Sequence, residues 1–430
     1  MTPKRFQTRE EHAETLLKYN INPQKAMFTI ILSILVDVFG YSMVLPLLPV
    51  IARTFGASDI FIGVIISSNA LSALIFGPLW GKLSDKYGRK PILLISQAGT
   101  GVSFLILALS DSIYIILFAR ILDGIFGGQI PVIRAYIADI TTPITRSAQM
   151  GKMMIGHTFG MILGPIIGGV LGEFNWRFPP LFAAGLTILA IFLTFFVLIE
   201  SMPKERFNDL FKMRQKAIAE NTHTKIWSKE LLLRLIEVYI LFVVTGMFMT
   251  SFSLILADRY GADTFAIGMV MTVAGLALMV YGGFLIKPLI KKISEKRLFF
   301  LGILTLIIIA AIFPFLYELW MVYVYIIPFA FCMATIGPLL QSNVTKTVDQ
   351  DKQGTVSGWS TNVQSFSQIT APLISTGYLQ IGGITIVMLL FDSYFLIGLT
   401  AALLAIVLII TVFIDLKKHT YLYENEEKQF

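Results

Sequence analysis

Charge, cysteine and catalytic motifs are all scarce in this sequence. Only 14% of the 430 residues are charged, whereas an average soluble protein carries about 25%. The one cysteine, Cys332, lies inside an apolar run, so the chain cannot form an internal disulfide or a cysteine-based metal site. The histidines are scattered, and the sequence contains no ATP-binding, metalloprotease or serine-hydrolase motif. We therefore expect a protein without enzymatic activity, cofactor or metal.

Apolar residues dominate what is present. They make up 56% of the 430 residues, about 241, and the mean hydropathy is +0.76. Since about 20 apolar residues span a bilayer, this number suffices for about twelve spans. Many long apolar runs exclude a disordered chain and a β-barrel, so the sequence predicts an all-α polytopic membrane protein with twelve transmembrane helices. The runs fall in two sets of six, near 26–50, 60–81, 91–110, 113–134, 150–171 and 178–199, and near 233–257, 264–286, 298–317, 321–341, 355–379 and 388–414.

The basic residues lie mainly in alternate segments between the spans. If the N-terminus is cytoplasmic, the inner segments hold 30 of the 34 lysines and arginines, and the outer segments hold only Arg53, Arg177 and Arg259. The positive-inside rule then predicts a multi-pass protein of the cell membrane with both termini in the cytoplasm. The same distribution accounts for the net charge of +7 without a nucleic-acid partner.

The two sets of six spans resemble each other. RTFGASDIFIGV at 53–64 aligns with DRYGADTFAIGM at 258–269, an offset of 205 residues, and further on the offset becomes 207, so that Pro165 matches Pro372. Both halves begin inside, which makes them parallel repeats, an arrangement typical of transporters with a binding site at the membrane midplane. The predicted organisation is a cytoplasmic N-terminal segment (1–25), a six-helix bundle (26–199), a cytoplasmic linker (200–232), a second six-helix bundle (233–415) and a cytoplasmic tail (416–430).

The loop after the second span reads GKLSDKYGRK. It resembles the signature loop of the major facilitator superfamily at Gly81, Leu83, Asp85, Gly88, Arg89 and Lys90. Gly81 permits close contact between helices and Gly88 permits a tight turn; an ordinary basic loop is the alternative interpretation. The resemblance implies that Asp139, at the inner end of the fourth span, joins Asp85 and Arg89 in a conformational latch.

Few charged residues lie within the spans. Arg120 and three glycines of the fourth span match the second motif of the same superfamily, and Asp123 lies one turn on, where it can pair with Arg120. Asp37 lies in the first span, which resembles that of tetracycline and multidrug efflux antiporters. A carboxyl within the membrane is by default a functional site, and low-dielectric surroundings favour its protonated form, which suits proton coupling. Asp37, Arg120 and Asp123 are therefore the candidates for proton coupling. The alternatives are an arginine that reaches the membrane surface and an aspartate that only binds a neighbouring helix.

The fifth span is rich in glycine. Its sequence GHTFGMILGPIIGGVLG resembles the antiporter motif of the superfamily. A row of small residues forms a flat strip against which another helix can pack closely, and the resemblance associates this strip with proton-coupled antiport. The motif comprises Gly156, Gly160, Gly164, Pro165, Gly168 and Gly169.

Polar and aromatic residues in the middle of the spans are candidates for a substrate cavity between the halves. For each amide, an interhelical hydrogen bond is an equally good interpretation. The candidates are Asn69, Gln129, His157, Phe248, Phe252, Asn362, Gln364 and Gln368.

These resemblances extend from the first span to the last, and the chain is identified as a member of the drug:proton antiporters of the major facilitator superfamily. They imply the major facilitator fold, with two pseudo-symmetric six-helix bundles, and a monomer in the lipid bilayer. They further imply that amphipathic drug-like compounds are exported in exchange for protons by alternating access. The third and ninth spans lack the acids that tetracycline pumps have there, which argues against tetracycline as the substrate. A transporter of a lipid, sugar or other metabolite, and a non-transporting receptor, stay open as alternatives.

Overall fold

The computed structural model describes residues 21–201, 228–348, 353–386 and 389–418. Most of the predicted linker, of the predicted C-terminal tail and of the predicted N-terminal segment lies outside the described residues. Nearly all of the described chain is helical. A helix pairs every backbone N–H and C=O within one segment, which a chain in lipid requires.

The described residues of the first half form eight helices. The first of them starts cleanly, because the Asn22 side chain accepts hydrogen bonds from the backbone N–H groups of Gln24 and Lys25, at 3.0 and 3.1 Å. The helices are α1 (Pro23–Val44), α2 (Leu48–Thr54), α3 (Asp59–Tyr87), α4 (Arg89–Ala108), α5 (Ile113–Gly127), α6 (Ile130–Ile140), α7 (Pro143–Phe174) and α8 (Phe178–Val197).

The described residues of the second half form seven helices and a short hairpin. In the hairpin, β1 (Ile384–Ile386) pairs antiparallel with β2 (Leu389–Phe391), and Ile384 lies opposite Phe391. A six-residue π-helical segment, Val280–Leu285, joins α10 to α11. The helices are α9 (Lys229–Tyr260), α10 (Thr264–Met279), α11 (Ile286–Lys292), α12 (Glu295–Ile312), α13 (Leu319–Lys346), α14 (Gln353–Ile381) and α15 (Ser393–Lys418).

Eleven stretches of the described chain are long and apolar enough to cross a membrane. One of them, Ile113–Ile140, covers both α5 and α6, and another, Thr264–Leu285, covers α10 and the π-helical segment. The structure therefore confirms the predicted all-α membrane class. α14 coincides with the predicted span 355–379 and is long enough at 29 residues. Its many amide and hydroxyl side chains lower its mean hydropathy, so it is not one of the eleven stretches. That α14 crosses the membrane therefore stays a prediction.

Two of the predicted runs are interrupted near a proline. The run expected at 26–50 is helical only as far as Val44 and resumes at Leu48, on either side of Pro46. The run expected at 113–134 is broken at Gly128 and Gln129, just ahead of Pro131. Proline lacks a backbone N–H and its ring crowds the preceding turn, so a helix ends or bends there.

The chain folds into two compact units. Unit 1 comprises Met1–Leu45 and Leu71–His223, and unit 2 comprises Pro46–Ala70 and Thr224–Phe430. The break between α1 and α2 therefore coincides with a boundary between the units, whereas α3 continues from one unit into the other. The two bundles expected from the repeat, 26–199 and 233–415, stay a prediction.

Candidate functional site

Unit 1 contains a buried ion pair within a predicted span. Arg120 and Asp123 lie one turn apart on α5, and the distance from Arg120 Nη1 to Asp123 Oδ2 is 2.7 Å. The two residues are only 1% and 5% exposed. The Arg120 guanidinium also lies 5.5 Å from the centre of the Tyr41 ring on α1. The predicted pairing of Arg120 with Asp123 is thus present, and it offsets the cost of placing each charge in an apolar region.

Asp37 joins this pair from the facing helix. It lies on α1 one turn before Tyr41, beside the Gln129 side chain and within electrostatic reach of Asp123. Asp37 is partly exposed, whereas Gln129 is buried and its side-chain nitrogen and oxygen lack the geometry of a hydrogen bond. Four of the residues singled out in the sequence, Asp37, Arg120, Asp123 and Gln129, therefore meet where α1 faces the junction of α5 and α6.

The charges of this cluster do not balance. Asp37 lies within reach of Asp123, and Arg120 binds Asp123, so these three side chains carry a net charge of −1 when both carboxyls are ionised. Uncompensated charge in an apolar region is costly, and carboxyls that share a site cannot both ionise easily. Protonation of one carboxyl removes the excess charge. Asp123 binds Arg120, whose positive charge favours the ionised form of that carboxyl. Asp37 is therefore the carboxyl more readily protonated.

Arg89 lies at the centre of a second cluster in unit 1. Its Nη2 lies 2.7 Å from Asp85 Oδ1, its Nε lies 3.1 Å from Asp139 Oδ2, and its Nη1 donates to Ser84 Oγ at 2.6 Å. Ser201 Oγ also donates to Asp139 Oδ2, at 3.0 Å. The planar guanidinium of arginine has several donors in fixed directions, so one side chain joins α3, α4 and α6. The predicted latch comprises Gly81, Asp85, Gly88, Arg89, Lys90 and Asp139. The structure brings together three of its four charged residues, Asp85, Arg89 and Asp139, whereas the side chain of Lys90 donates to Phe195 O at 2.7 Å.

Glu200 is a member of this cluster that sequence reasoning missed. Its two carboxylate oxygens accept hydrogen bonds from the backbone N–H groups of Arg89 and Lys90, at 2.8 and 3.0 Å. An acidic group at a helix N-terminus satisfies N–H groups that have no partner within the helix, and it interacts favourably with the helix dipole. Glu200 therefore fastens the end of the first half to the start of α4.

Gly88 makes this contact possible. Its φ of 100° lies in the region that favours glycine, and a Cβ there would lie 2.5 Å from Glu200 Oε2. The sequence predicted that Gly81 permits a close contact between helices. A Cβ on Gly81 would lie 3.7 Å from Pro131 Cβ, which is an ordinary contact distance, so this prediction is wrong. The close approach between helices lies one turn earlier, where a Cβ on Gly128 would be 3.0 Å from Gly77 Cα.

The glycine strip of α7 packs against α1, the helix that carries Asp37. A Cβ on Gly156 would lie 2.7 Å from Ile31 O, one on Gly160 2.9 Å from Leu35 O, and one on Gly164 2.8 Å from Phe39 O. Ser42 Oγ also donates to Gly160 O at 2.8 Å. The strip thus lets the backbones of α1 and α7 touch, as its small residues predict. Gly168 continues the contact at Met43, and Pro165 lies within α7 without ending it.

The candidates for the substrate cavity are divided between the units. Gln129 and His157 belong to unit 1, and the other six belong to unit 2. Phe248 and Phe252 have no exposed surface, and they pack with the rings of Phe313, Tyr325 and Phe329 at centroid distances of 5.0 to 6.4 Å. Gln364 Nε2 lies 3.5 Å from Gln341 Oε1, whereas Asn362 and Gln368 are exposed. Asn69 is partly exposed, and contact of all these residues with a substrate stays a prediction.

A buried ion pair in unit 2 also escaped the sequence reasoning. Arg234 Nη1 lies 2.9 Å from Glu237 Oε2 on α9, and both side chains have no exposed surface. Arg234 was counted with the basic linker, because hydropathy alone placed the start of the span at 233. The pair is electrically neutral, in contrast to the cluster around Asp37. Within the described residues, no group of three or more histidine, cysteine, aspartate or glutamate side chains is placed to hold a metal ion.

The sequence of this chain is similar to those of known transport and resistance proteins. The sequence profile of the Major Facilitator Superfamily matches residues 30–372. The chain is 30% identical to the tetracycline resistance protein, class C, of Escherichia coli, over 82% of this chain and 89% of that protein. It is 27% identical to multidrug resistance protein 2 of Bacillus subtilis (strain 168), over 83% of this chain and 90% of that protein.

Solved structures show the same fold. A bacterial homologue of the human lysosomal transporter Spinster has a TM-score of 0.72 with this chain at 14% identity, over 94% of this chain and 99% of that one. At this level of identity the likeness concerns the fold alone. It confirms the major facilitator fold that the sequence motifs imply.

Proposed function

The chain belongs to the major facilitator superfamily, a family of membrane transporters and not of enzymes, and from that we propose that it is a proton-coupled antiporter that exports amphipathic, drug-like compounds. Transport proceeds by alternating access in the cell membrane, with both termini in the cytoplasm. The observation that carries the proposal is the cluster in unit 1 of two carboxyls, Asp37 and Asp123, with Arg120 bound to Asp123, within the predicted first and fourth spans.

Asp37 is the proton-coupling residue in this mechanism. It is the carboxyl of the cluster without an arginine bound to it, and it is more accessible than Asp123. It takes up a proton when the site faces outward and releases it when the site faces the cytoplasm. Arg120 binds Asp123 and favours its ionised form, so Asp37 is the carboxyl that carries the proton.

The glycine strip couples this proton to movement. α1 carries Asp37 and lies in backbone contact with α7 through Gly156, Gly160 and Gly164. A contact between two backbones leaves no flexible side chain to absorb a small shift, so a displacement of α1 is passed on to α7. The cluster of Arg89, Asp85 and Asp139 acts as a latch that holds one of the two conformations.

The proposed substrate class rests on the relatives and on the composition of the spans. Relatives named for tetracycline resistance and for multidrug resistance cover most of the chain. The third and ninth predicted spans, 91–110 and 298–317, contain no acid, so we expect an amphipathic drug other than tetracycline. Among the candidates for contact with the substrate, Asn362 and Gln368 of unit 2 are the exposed ones, and the protein works as a monomer.

The test is transport by purified protein in liposomes under an imposed pH gradient, with a fluorescent amphipathic cation as the probe. We expect wild-type protein to drive the probe against the proton flux, and Asp37→Asn to lose gradient-driven flux while it still binds the probe. Asp111→Asn is the matched control, because Asp111 is an exposed acid in the loop between α4 and α5. Flux that ignores the gradient, or that survives in Asp37→Asn, contradicts proton coupling through Asp37.

Substrate class is tested separately by ligand-induced changes in thermal stability. A ligand that binds only the folded state raises the midpoint of unfolding, and the stabilisation grows with the logarithm of the ligand concentration relative to the dissociation constant. We expect stabilisation by several amphipathic drugs of different structure. Stabilisation by one sugar or polar metabolite only would replace the drug assignment with that of a metabolite transporter, and the proton mechanism would then be judged on the liposome assay alone.

A further inference from the structure

A small polar cavity lies inside the helix bundle of unit 1. It is enclosed by α1, α4, α6 and the inner end of α8, and its volume is about 10 Å³, close to the space that one water molecule needs. Three hydroxyl side chains line it, those of Thr29, Ser33 and Thr194. All three residues are at most 6% exposed. Buried polar groups need partners, so the cavity is suited to a small polar molecule.

Gln97 of α4 lies beside this cavity and has an unsatisfied atom. Its side-chain nitrogen donates to Ser33 Oγ at 2.5 Å and to Thr194 Oγ1 at 3.1 Å. Its side-chain oxygen is buried and has no hydrogen-bond partner among the described residues. An unsatisfied buried oxygen is costly, and a water molecule bonded to this oxygen and to the two hydroxyls would satisfy all three groups.

The cavity lies on the same face of α1 as the coupling carboxyl. Thr29, Ser33 and Asp37 follow one another at intervals of four residues, so they form one row along the helix. In this structure the Asp37 carboxyl lies beside Gln129 of α6. Because Asp37 is one turn from Ser33, a rotation of its side chain away from Gln129 can bring the carboxyl to the Ser33 hydroxyl.

A further buried hydroxyl belongs to α4. Ser33 of α1 contacts Gln97 of α4, and Gly40 of α1 lies so close to Phe104 of α4 that a Cβ on Gly40 would be 3.3 Å from the ring. These two contacts show that α1 and α4 run in the same direction. Thr100 of α4 lies between them, at the level of the coupling carboxyl, and its hydroxyl oxygen is buried without a hydrogen-bond partner in the described part of the chain. The polar interior of the bundle thus extends from the cavity to that level.

The opposite end of the cavity lies close to the Arg89 cluster. Leu93, which lines the cavity, comes one turn after Arg89, and Leu198, which also lines it, comes two residues before Glu200. The cluster lies at the predicted inner face and contains the carboxyls of Glu200 and Asp139. A proton that leaves the cavity in this direction therefore reaches acceptors near the cytoplasm.

We propose that this cavity holds a water molecule that carries the proton from Asp37 toward the inner face, by a route inside unit 1 that the cargo does not share. When Asp37 turns toward Ser33, its carboxyl gives a proton to the hydroxyl oxygen. The hydroxyl passes its own proton to the water, and the water passes one on toward the Arg89 cluster. Asp37 is left ionised, while the hydroxyl and the water are regenerated.

The route is closed in this structure, because Asp37 lies beside Gln129 and not in the row's bond to Gln97. A route that opens only when Asp37 turns lets no proton leak while the carboxyl is loaded from outside. The inference rests on the proposed function, since it takes Asp37 as the coupling residue, and it adds where the proton leaves.

The test compares two kinds of transport in the same liposomes, with radiolabelled ethidium, an amphipathic cation, as the probe. Efflux driven by a pH gradient requires release of a proton in every cycle, whereas exchange of labelled for unlabelled ethidium at equal pH requires none. We expect Ser33→Ala and Thr194→Val, which each remove one hydroxyl, to slow gradient-driven efflux by about tenfold or more and to leave exchange unchanged. Thr194→Ser keeps the hydroxyl and should keep both rates.

Thr187→Val is the matched control. Thr187 lies two turns earlier on α8, is 4% exposed, and donates its hydroxyl to Ala183 O of its own helix at 2.9 Å. We expect this variant to keep the wild-type rates of efflux and of exchange. The same near-isosteric change at the two threonines therefore separates the loss of a hydroxyl in the cavity from the loss of a buried hydroxyl in general.

Three results would overturn the route, and they can be told apart. If Thr194→Val slows efflux and exchange equally, the hydroxyl has a structural role only. If Ser33→Ala and Thr194→Val both keep the wild-type efflux, the proton leaves by another way. Either result leaves the antiporter assignment intact. Wild-type protein without gradient-driven efflux would instead refute the antiporter assignment, and the route with it.

Discussion

Gly88 shows how one backbone conformation positions a charged cluster. Its positive φ turns the chain between α3 and α4, and the absence of a Cβ admits the Glu200 carboxylate to the N-terminus of α4. The same turn directs Arg89 toward Asp139. Gly88 thus allows the backbone N–H of Arg89 to bind the Glu200 carboxylate and the Arg89 side chain to bind Asp139 of α6.

Substitution of Gly88 should therefore be more damaging than substitution of a comparable glycine. We expect Gly88→Ala to lower the free energy of unfolding by about 1–3 kcal/mol from backbone strain alone, with a further loss because the methyl group collides with Glu200. Thermal unfolding in detergent measures the total. The latch should be weakened as well, which would appear as a lower rate of transport per molecule.

Gly56→Ala is the control for this substitution. Gly56 also has a positive φ, 77°, but a Cβ there would have no neighbour within 4 Å. We expect Gly88→Ala to lower the free energy of unfolding more than Gly56→Ala does. In a Glu200→Ala background this difference should disappear, and a double-mutant cycle measures it. Equal losses for the two glycines, with no coupling to Glu200, would show that strain alone explains Gly88.

At the scale of elements, the contact between α1 and α7 is the one on which the proton mechanism depends most. Gly164→Ala would place a methyl group 2.8 Å from Phe39 O and 2.9 Å from Met43 N. Overpacking of this kind costs about 1–3 kcal/mol. We expect lower thermal stability and a loss of coupled transport, because α1 and Asp37 must move away from α7.

The same helix supplies the control for this change. A Cβ at Gly151 of α7 would meet nothing within 4 Å, so Gly151→Ala should stabilise the helix by up to about 1 kcal/mol through its greater helix propensity. If both variants change stability alike, the contact with α1 is not tight. If Gly164→Ala is unstable but couples protons normally, the strip is a packing feature with no part in coupling.

The interruptions in the helices could have been predicted better than they were. Pro46 and Pro131 are visible in the sequence, but hydropathy averages over a whole run and does not register a missing backbone N–H. The same averaging moved Arg234 into the linker, because a buried ion pair looks like the end of an apolar run. The i, i+3 spacing of Arg234 and Glu237 is the feature of the sequence from which the ion pair could have been predicted.

At the scale of the whole molecule, α14 decides the number of spans. With eleven spans the termini lie on opposite sides of the membrane, and with twelve they lie on the same side. We expect α14 to cross, because its hydroxyls largely bond to its own helix, as those of Thr361, Ser365 and Thr376 do. A reporter fused after Phe430 should therefore be active in the cytoplasm, together with one placed at the N-terminus.

Topology reporters at an inner and an outer loop control this measurement. A tag in the loop at 109–112 should report the outside, and one in the predicted linker should report the cytoplasm. A C-terminal reporter outside the cell, with the N-terminal one inside, would mean that α14 does not cross. That result would leave the fold of the first half untouched and would remove the strict equivalence of the halves.

Most of the fold was predictable from this sequence, and the site was predictable in part. The lengths of the apolar runs predicted the fold class, and the motifs predicted the family. The motifs also included Asp37, Arg120 and Asp123 of one cluster and Asp85, Arg89 and Asp139 of the other, because each rests on local spacing or on a known pattern. Glu200 was not given a role, since its partners lie 110 and 111 residues away in the sequence. Contacts between residues of the two halves also depend on packing between distant segments of the chain, so sequence spacing alone does not predict them.

The contact of Arg53 with Asp258 has a consequence for the ancestry of the chain. If the halves descend from one duplicated gene, the two copies began with the same amino acid at this position. Arg53 and Asp258 lie 205 positions apart, at equivalent places in the repeat, and they form an ion pair. Two arginines or two aspartates at these positions would repel each other. One copy had to diverge before this ion pair could exist, which dates the contact to a time after the duplication.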